Sequence, residues 1–196
     1  MTTLNQPRTT ERRDGACSPA PDCRGALCAP YDLLARLFEY PNESYAQRCR
    51  EAGLDEFASE MEKLSPSQIQ EQFVATFDWN PATALDLGWH LYGEQYARGE
   101  FLVRVRKELR KHGIQESSEL PDHLTHILPL LARMDSADAV QFVREFVAPA
   151  VAKLVAALDR KQTPFALLMR AVREALPVQV EIPPPKVELP VLPGVD

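Results

Sequence analysis

The sequence contains no run of about eighteen apolar residues, the length a membrane helix needs, so no transmembrane helix is predicted. Cationic residues are also in the minority: 22 Lys and Arg against 28 Asp and Glu give a formal net charge of −6. That balance argues against nucleic acid as the main partner. The Arg12-Arg13 pair precedes no apolar segment, so it does not predict an export signal, and we expect a cytoplasmic protein.

Glycine is scarce, with 8 residues against 17 prolines, and ten of those prolines lie near the two ends. Between positions 31 and 176 only seven prolines and five glycines remain, too few for an all-β domain with a turn every ten residues or so. We therefore predict three parts: a flexible N-terminal segment over 1–29, an all-helical domain over 30–176, and a proline-rich tail over 177–196.

The few cysteines are not grouped as metal or redox sites usually are. Three of the four, Cys17, Cys23 and Cys28, lie in the N-terminal segment without a C-x2-C pair, and Cys49 follows in the domain. We favour unpaired thiols in a reducing cytosol. The alternative is a small metal- or thiol-based redox protein that uses these cysteines.

Histidine offers a second test of the metal hypothesis. His123 and His126 are one helical turn apart, a spacing that suits a metal, but no third ligand stands nearby in the sequence. Glycine-rich phosphate loops, nucleophile elbows and catalytic cysteine signatures are absent as well. The sequence therefore indicates neither a catalytic nor a metal-binding residue.

Apolar residues recur at helical spacing through most of the chain, which predicts an all-α, single-domain bundle of about eight helices. The expected helices cover 30–40, 42–52, 54–64, 65–77, 85–113, 120–134, 136–160 and 163–176. The segment 178–182 alternates like a strand but has no partner, so we expect an extended tail.

Local signals refine three of these helices. Ser65, Pro66 and Gln68 form the pattern of a capping box with proline in the first turn. Pro121 and Asp122 suit the first turn of another helix. Pro149 falls within a regular apolar stripe and is expected to kink or interrupt it.

Charge is unevenly distributed over two neighbouring segments. Residues 98–111 carry six basic and two acidic side chains, net +4, whereas residues 116–138 carry five acidic side chains and one arginine, net −4. Two solvated helix faces explain this pattern most simply. Alternatively, the acidic segment forms a groove for a basic, partly hydrophobic peptide.

Ordered motifs between positions 73 and 124, together with the segments YDLLARLFEYP and FVAPAVAKL, resemble the NarJ branch of the TorD-like redox-enzyme maturation chaperones. The resemblance covers about residues 30–176. Its motif residues are Phe73, Thr76, Phe77 and Asp78, then His90, Gly93, Glu94, Arg98 and Gly99, then Glu119, Leu120, Pro121, Asp122, His123 and Leu124.

The resemblance implies a cytoplasmic, all-helical chaperone dedicated to one molybdenum enzyme of the nitrate reductase or dimethyl sulfoxide reductase type. Such proteins bind the N-terminal peptide of the catalytic subunit and hold the apoenzyme until the molybdenum cofactor is inserted, without stably binding a cofactor themselves. Helical halves joined by a hinge can exchange between protomers, so a monomer and a domain-exchanged dimer both remain open.

The resemblance also implies where the peptide binds. Residues 120–123, the LPDH segment, would form the hinge between the helical halves and part of the peptide groove. Asp122 and Glu119 would offer carboxylates to client arginines, and Trp79, Tyr92 and Leu120 would take the apolar part. The complete set of expected peptide-binding residues is Glu119, Leu120, Pro121, Asp122, His123, Trp79, Tyr92, Glu94 and Arg98.

Overall fold

The structure is a computed structural model, and it describes residues 28–178. This part of the chain is all-helical, as predicted, and its only β-type pairing is one isolated bridge. Residues 1–27 of the expected N-terminal segment, with Cys17 and Cys23, and all but the start of the expected tail lie outside the described residues, whereas residues 28 and 29, expected to be flexible, begin the first helix. The helices are α1 Cys28–Arg36, α2 Tyr45–Glu51, α3 Asp55–Glu62, α4 Pro66–Phe77, α5 Leu87–Tyr92, α6 Tyr96–Lys111, α7 Leu124–Arg133, α8 Ser136–Phe142, α9 Ala148–Lys161 and α10 Phe165–Ala175.

The capping box predicted at the start of α4 is present. The Ser65 side chain accepts a hydrogen bond from the Gln68 backbone N–H, and the Gln68 side chain accepts one from the Ser65 N–H. Pro66 occupies the first turn, where its missing N–H has no intrahelical partner to lose. The start of α4 is thus encoded by four consecutive residues.

The prediction of a single long helix over 85–113 is wrong. Gly93 ends α5 with a positive φ of 58°, a backbone conformation that favours glycine, and α6 begins three residues later at Tyr96. Because of this break, α6 does not continue along the axis of α5. The two helices pack against each other through Tyr92 and Phe101, whose ring centres are 5.7 Å apart.

The helix predicted over 120–134 starts later than expected. His123 is the N-cap of α7 and accepts a hydrogen bond from the Thr125 N–H, so Pro121 and Asp122 precede the helix instead of forming its first turn. The reason is tertiary: residues 120–123 form a turn closed by the His123 N–H and the Leu120 carbonyl, and His123 pairs with Asp86 just before α5.

The interruption expected at Pro149 is present as a π-helical turn, Val143–Val147, between α8 and α9. Proline lacks the N–H that would bond the carbonyl four residues earlier, and a wider turn accommodates that loss. The stripe continues through it, since Val147, Val151 and Leu154 are all fully buried.

Edge-to-face phenylalanines fill the core among α3, α4 and α10. The Phe165 ring lies 5.5 Å from Phe57, 5.8 Å from Phe73 and 5.2 Å from Phe77, measured between ring centres. Tyr31 of α1 donates a 2.9 Å hydrogen bond to the Ala175 carbonyl, which ties the first described helix to the last.

Candidate peptide-binding site where the LPDH segment meets α5

The LPDH segment pairs with the residues that lead into α5. An isolated antiparallel bridge joins Asp86 to His123. The Leu124 N–H donates to the Leu85 carbonyl at 3.2 Å, and the Leu87 N–H donates to the Asp122 carbonyl at 3.1 Å. This short pairing fixes the start of α7 against the start of α5. We call the place where residues 85–88 meet residues 120–124 the junction.

Asp122 points into this junction and not toward solvent. The residue is 0% exposed, its Oδ2 accepts a 2.7 Å hydrogen bond from the Gly88 N–H, and its Oδ1 has no hydrogen-bond partner in the described structure. Burial raises the pKa of the Asp122 carboxyl above its ordinary value, and the Gly88 N–H opposes that shift. As placed here, the carboxylate holds the junction together and does not face an external ligand.

Gly88 makes this close approach possible. A Cβ atom at position 88 would lie 2.7 Å from Asp122 Oδ2 and 3.0 Å from a ring carbon of Phe101. Any other residue would push the carboxylate or the ring away. The sequence signal for this role is weak, since a glycine inside a helical pattern ordinarily only lowers helix propensity.

Arg98 of α6 lies over the same junction. Its Nη2 is 3.8 Å from Asp86 Oδ2, and its guanidinium carbon is 5.6 Å from the centre of the Trp89 ring. Burial raises the pKa of the Asp86 carboxyl, and the Arg98 charge partly offsets that shift. The ion pair is partly open, because the side chains of Arg98 and Asp86 are 23% and 27% exposed.

His123, at the end of the LPDH segment, and His126, in α7, both have hydrogen-bond partners within the protein. His126 accepts the Ser117 N–H at 2.9 Å through Nε2, and its Nδ1 lies 2.9 Å from the Leu120 carbonyl, which indicates a neutral ring protonated at Nδ1. Burial, with a smaller contribution from His126, lowers the pKa of His123 to about 4. His126 therefore clamps the loop that presents Leu120.

The expected peptide-binding residues separate into two groups. Buried or partly buried positions at the junction are Pro121, Asp122, His123, Tyr92 and Arg98. Exposed positions are Glu94, Glu119, Leu120 at 43% and Trp79 at 76%. Nothing in the geometry tests whether these residues bind a peptide, so that assignment stays a prediction. Sequence reasoning missed three residues that complete the junction: Asp86, Gly88 and Trp89.

Part of the charge on the two oppositely charged segments is paired internally. Arg106 Nε lies 3.0 and 2.9 Å from the two carboxylate oxygens of Glu116, which joins the basic helix α6 to the acidic loop. Glu119, Asp135 and Asp138 remain exposed. The acidic surface available to a partner is therefore smaller than the sequence count suggests.

Within residues 28–178, no group of three or more His, Cys, Asp or Glu side chains is arranged to hold a metal ion. None of the helices there combines the length and apolar character needed to cross a bilayer.

The chain is similar in sequence to proteins of one family, and a solved structure shares its fold. Residues 42–169 match the family model described as nitrate reductase delta subunit. The chain is 31% identical over 153 residues to the nitrate reductase molybdenum cofactor assembly chaperone NarJ of Escherichia coli K12, and equally to that of strain O157:H7. Each alignment covers 69% of this chain and 64% of the relative, so the chain spans less than two thirds of the relatives' length.

A solved structure supports the fold. The crystal structure of an Archaeoglobus fulgidus protein assigned as a redox enzyme maturation protein superposes with a TM-score of 0.60 at 19% identity. The match covers 80% of this chain and 97% of that protein.

Proposed function

This chain belongs to the nitrate reductase delta subunit family, and on that basis we propose that it is a chaperone for a nitrate reductase-like molybdoenzyme. It binds the N-terminal peptide of the catalytic subunit and assists insertion of the molybdenum cofactor. The single observation that carries this proposal is the family match over residues 42–169, which includes the LPDH junction.

The exposed face of the LPDH segment is the proposed contact surface. Glu119 and Leu120 stand side by side on the loop that His126 clamps, and both are open to solvent. A carboxylate beside an apolar side chain suits a peptide that carries arginines next to hydrophobic residues. Trp79, Tyr92 and Glu94 remain proposed contacts, of which Trp79 and Glu94 are exposed.

Within this proposal, the buried members of the segment act as positioning residues. Asp122 is bonded to Gly88, Pro121 is buried, and His123 caps α7, so their effect on the peptide passes through the placement of Glu119 and Leu120. This replaces the expectation that Asp122 pairs directly with a client arginine.

The remaining parts of the proposal follow from the family. The protein is proposed to act in the cytoplasm and to be non-catalytic, and the molybdenum cofactor is destined for the client. The hinge at the LPDH segment is compatible with a monomer and with a dimer that exchanges helical halves.

Calorimetry and metal analysis test the proposal together. A peptide with the N-terminal sequence of the nitrate reductase catalytic subunit from the same organism is titrated into the full chain, with a scrambled peptide as control. The catalytic subunit is also purified after expression with and without the chaperone. We expect saturable binding of the native peptide alone, and a higher molybdenum content with the chaperone. Absence of both effects would contradict the proposal.

A further inference from the structure

Arg98 holds an ion pair that is unusually incomplete for an arginine. The shortest approach of its guanidinium to Asp86 is 3.8 Å, and its buried Nε has no hydrogen-bond partner in the described structure. A well-formed arginine–carboxylate pair has two parallel hydrogen bonds of about 2.8 Å. The Arg98 side chain therefore occupies this position without making the bonds that its fork can make.

The residues around Arg98 have the chemistry that binds a guanidinium. Asp86 supplies a partly exposed carboxylate, and Trp89 supplies an aromatic face 5.6 Å from the guanidinium carbon of Arg98. Arg98 is the cation that this carboxylate and this ring hold in the structure.

The Arg98 side chain is positioned so that it can move out of this site into solvent. It lies in the first turn of α6, close to the turn that begins at Gly93, and its side chain is 23% exposed. Its long ion pair and single ring contact are interactions of modest strength. Swinging the side chain into solvent leaves the backbone of α6 unchanged.

We propose that Asp86 and Trp89 form a binding site for an arginine side chain of an incoming peptide, and that Arg98 occupies this site until the peptide displaces it. The proposal rests on the proposed function in that the peptide is the client's. The site selects arginine over lysine, because a planar guanidinium stacks on the indole and forms two parallel hydrogen bonds with a carboxylate.

The test uses a small probe and does not depend on the client. N-acetyl-arginine amide is titrated into the full chain while the indole N–H signal of Trp89 is followed by NMR, with Trp79→Phe used to assign the two tryptophan signals. We expect Arg98→Gln to bind the probe about fivefold to tenfold more tightly than the parent chain, the range expected from losing one ion pair and one cation–π contact. N-acetyl-lysine amide should bind weakly to both.

Matched variants make the outcome decisive. Arg104→Gln removes another arginine of α6 that lies over an aromatic ring, 4.6 Å from the centre of Phe146, and should leave the probe affinity unchanged. Arg98→Lys keeps the charge and should give an intermediate affinity. Asp86→Asn added to Arg98→Gln should abolish the gain.

Two results would overturn the inference. One is an Arg98→Gln or Arg98→Lys chain that keeps its helical signal and binds the probe no better than the parent. The other is tight binding that survives Asp86→Asn. Failure of the client peptide to bind, with the probe site intact, would count against the proposed function alone.

Discussion

The Asp122 carboxylate accepts a 2.7 Å hydrogen bond from the backbone N–H of Gly88, a residue 34 positions earlier in the chain. This bond connects the entry of α7 to the first turn of α5, and the Asp122 side chain that makes it is fully buried. A residue expected to face a client peptide instead links two helices.

The first prediction separates the hydrogen bond from the charge at position 122. Asp122→Ala leaves the buried Gly88 N–H without an acceptor, so the free energy of unfolding should fall by about 1–3 kcal/mol. Asp122→Asn keeps an acceptor oxygen and removes a buried charge, so it should stay within about 1 kcal/mol of the parent. Urea denaturation measures both, and equal losses in the two variants would contradict the assigned bond.

The second prediction concerns the space at Gly88. Gly88→Ala places a methyl group 2.7 Å from Asp122 Oδ2 and 3.0 Å from Phe101, so the strain should outweigh the better helix propensity of alanine. We expect a loss of about 1–3 kcal/mol in the free energy of unfolding.

Gly99→Ala is the matched control, because a Cβ at Gly99 meets nothing within 4 Å. That variant should be neutral or more stable by up to about 1 kcal/mol. Equal effects of the two substitutions would show that position 88 is not tightly packed.

The third prediction tests the exposed face of the LPDH segment. Glu119→Arg should weaken binding of the client N-terminal peptide by about tenfold, since it replaces an attraction for client arginines with repulsion. The melting temperature should not change, because the Glu119 side chain is exposed. Glu43→Arg reverses an exposed charge in the turn before α2 and should leave the affinity unchanged; a similar loss in both variants would indicate a general charge effect.

The fourth prediction is a pH dependence of stability. Burial lowers the pKa of His123 from 6.5 to about 4, so between these values the unfolded chain binds a proton that the folded protein does not. The His123 contribution should therefore be full above about pH 6.5 and should fall by about 3 kcal/mol as the pH drops through 4. Asp122 acts in the opposite direction, because its raised pKa favours the folded state at low pH.

Comparison with His123→Asn isolates the histidine, since asparagine is a good N-cap and does not titrate. Chemical denaturation at several pH values should show a shallower loss of stability on acidification in the variant. Identical pH profiles for the two proteins would mean that His123 titrates normally in the folded state.

The fifth prediction concerns the part of the chain that the helical bundle needs in order to fold. The bond from Tyr31 to Ala175 joins the first and last helices from within residues 28–178. A chain limited to these residues should keep its helical circular dichroism and melt within a few degrees of the full chain. A large loss of stability would show that residues beyond these limits pack on the bundle.

Local patterns were sufficient for much of the helical architecture. The capping box at Ser65 and Gln68 and the interruption near Pro149 depend on residues within four or five positions of each other, and both are present. The helix end at Gly93 is not predictable from the local pattern, because a glycine that ends a helix and one that merely weakens it look alike in sequence.

The candidate site depended on contacts that no local pattern records. Apolar periodicity and caps follow from the geometry of one helical turn, so the sequence alone predicts where most helices lie. Whether Asp122 faces solvent or Gly88, and whether Arg98 faces a partner or Asp86, is decided by residues brought together from distant positions. A buried carboxylate is stable only where such a partner reaches it, and only the packing of α5, α6 and α7 determines which partner that is.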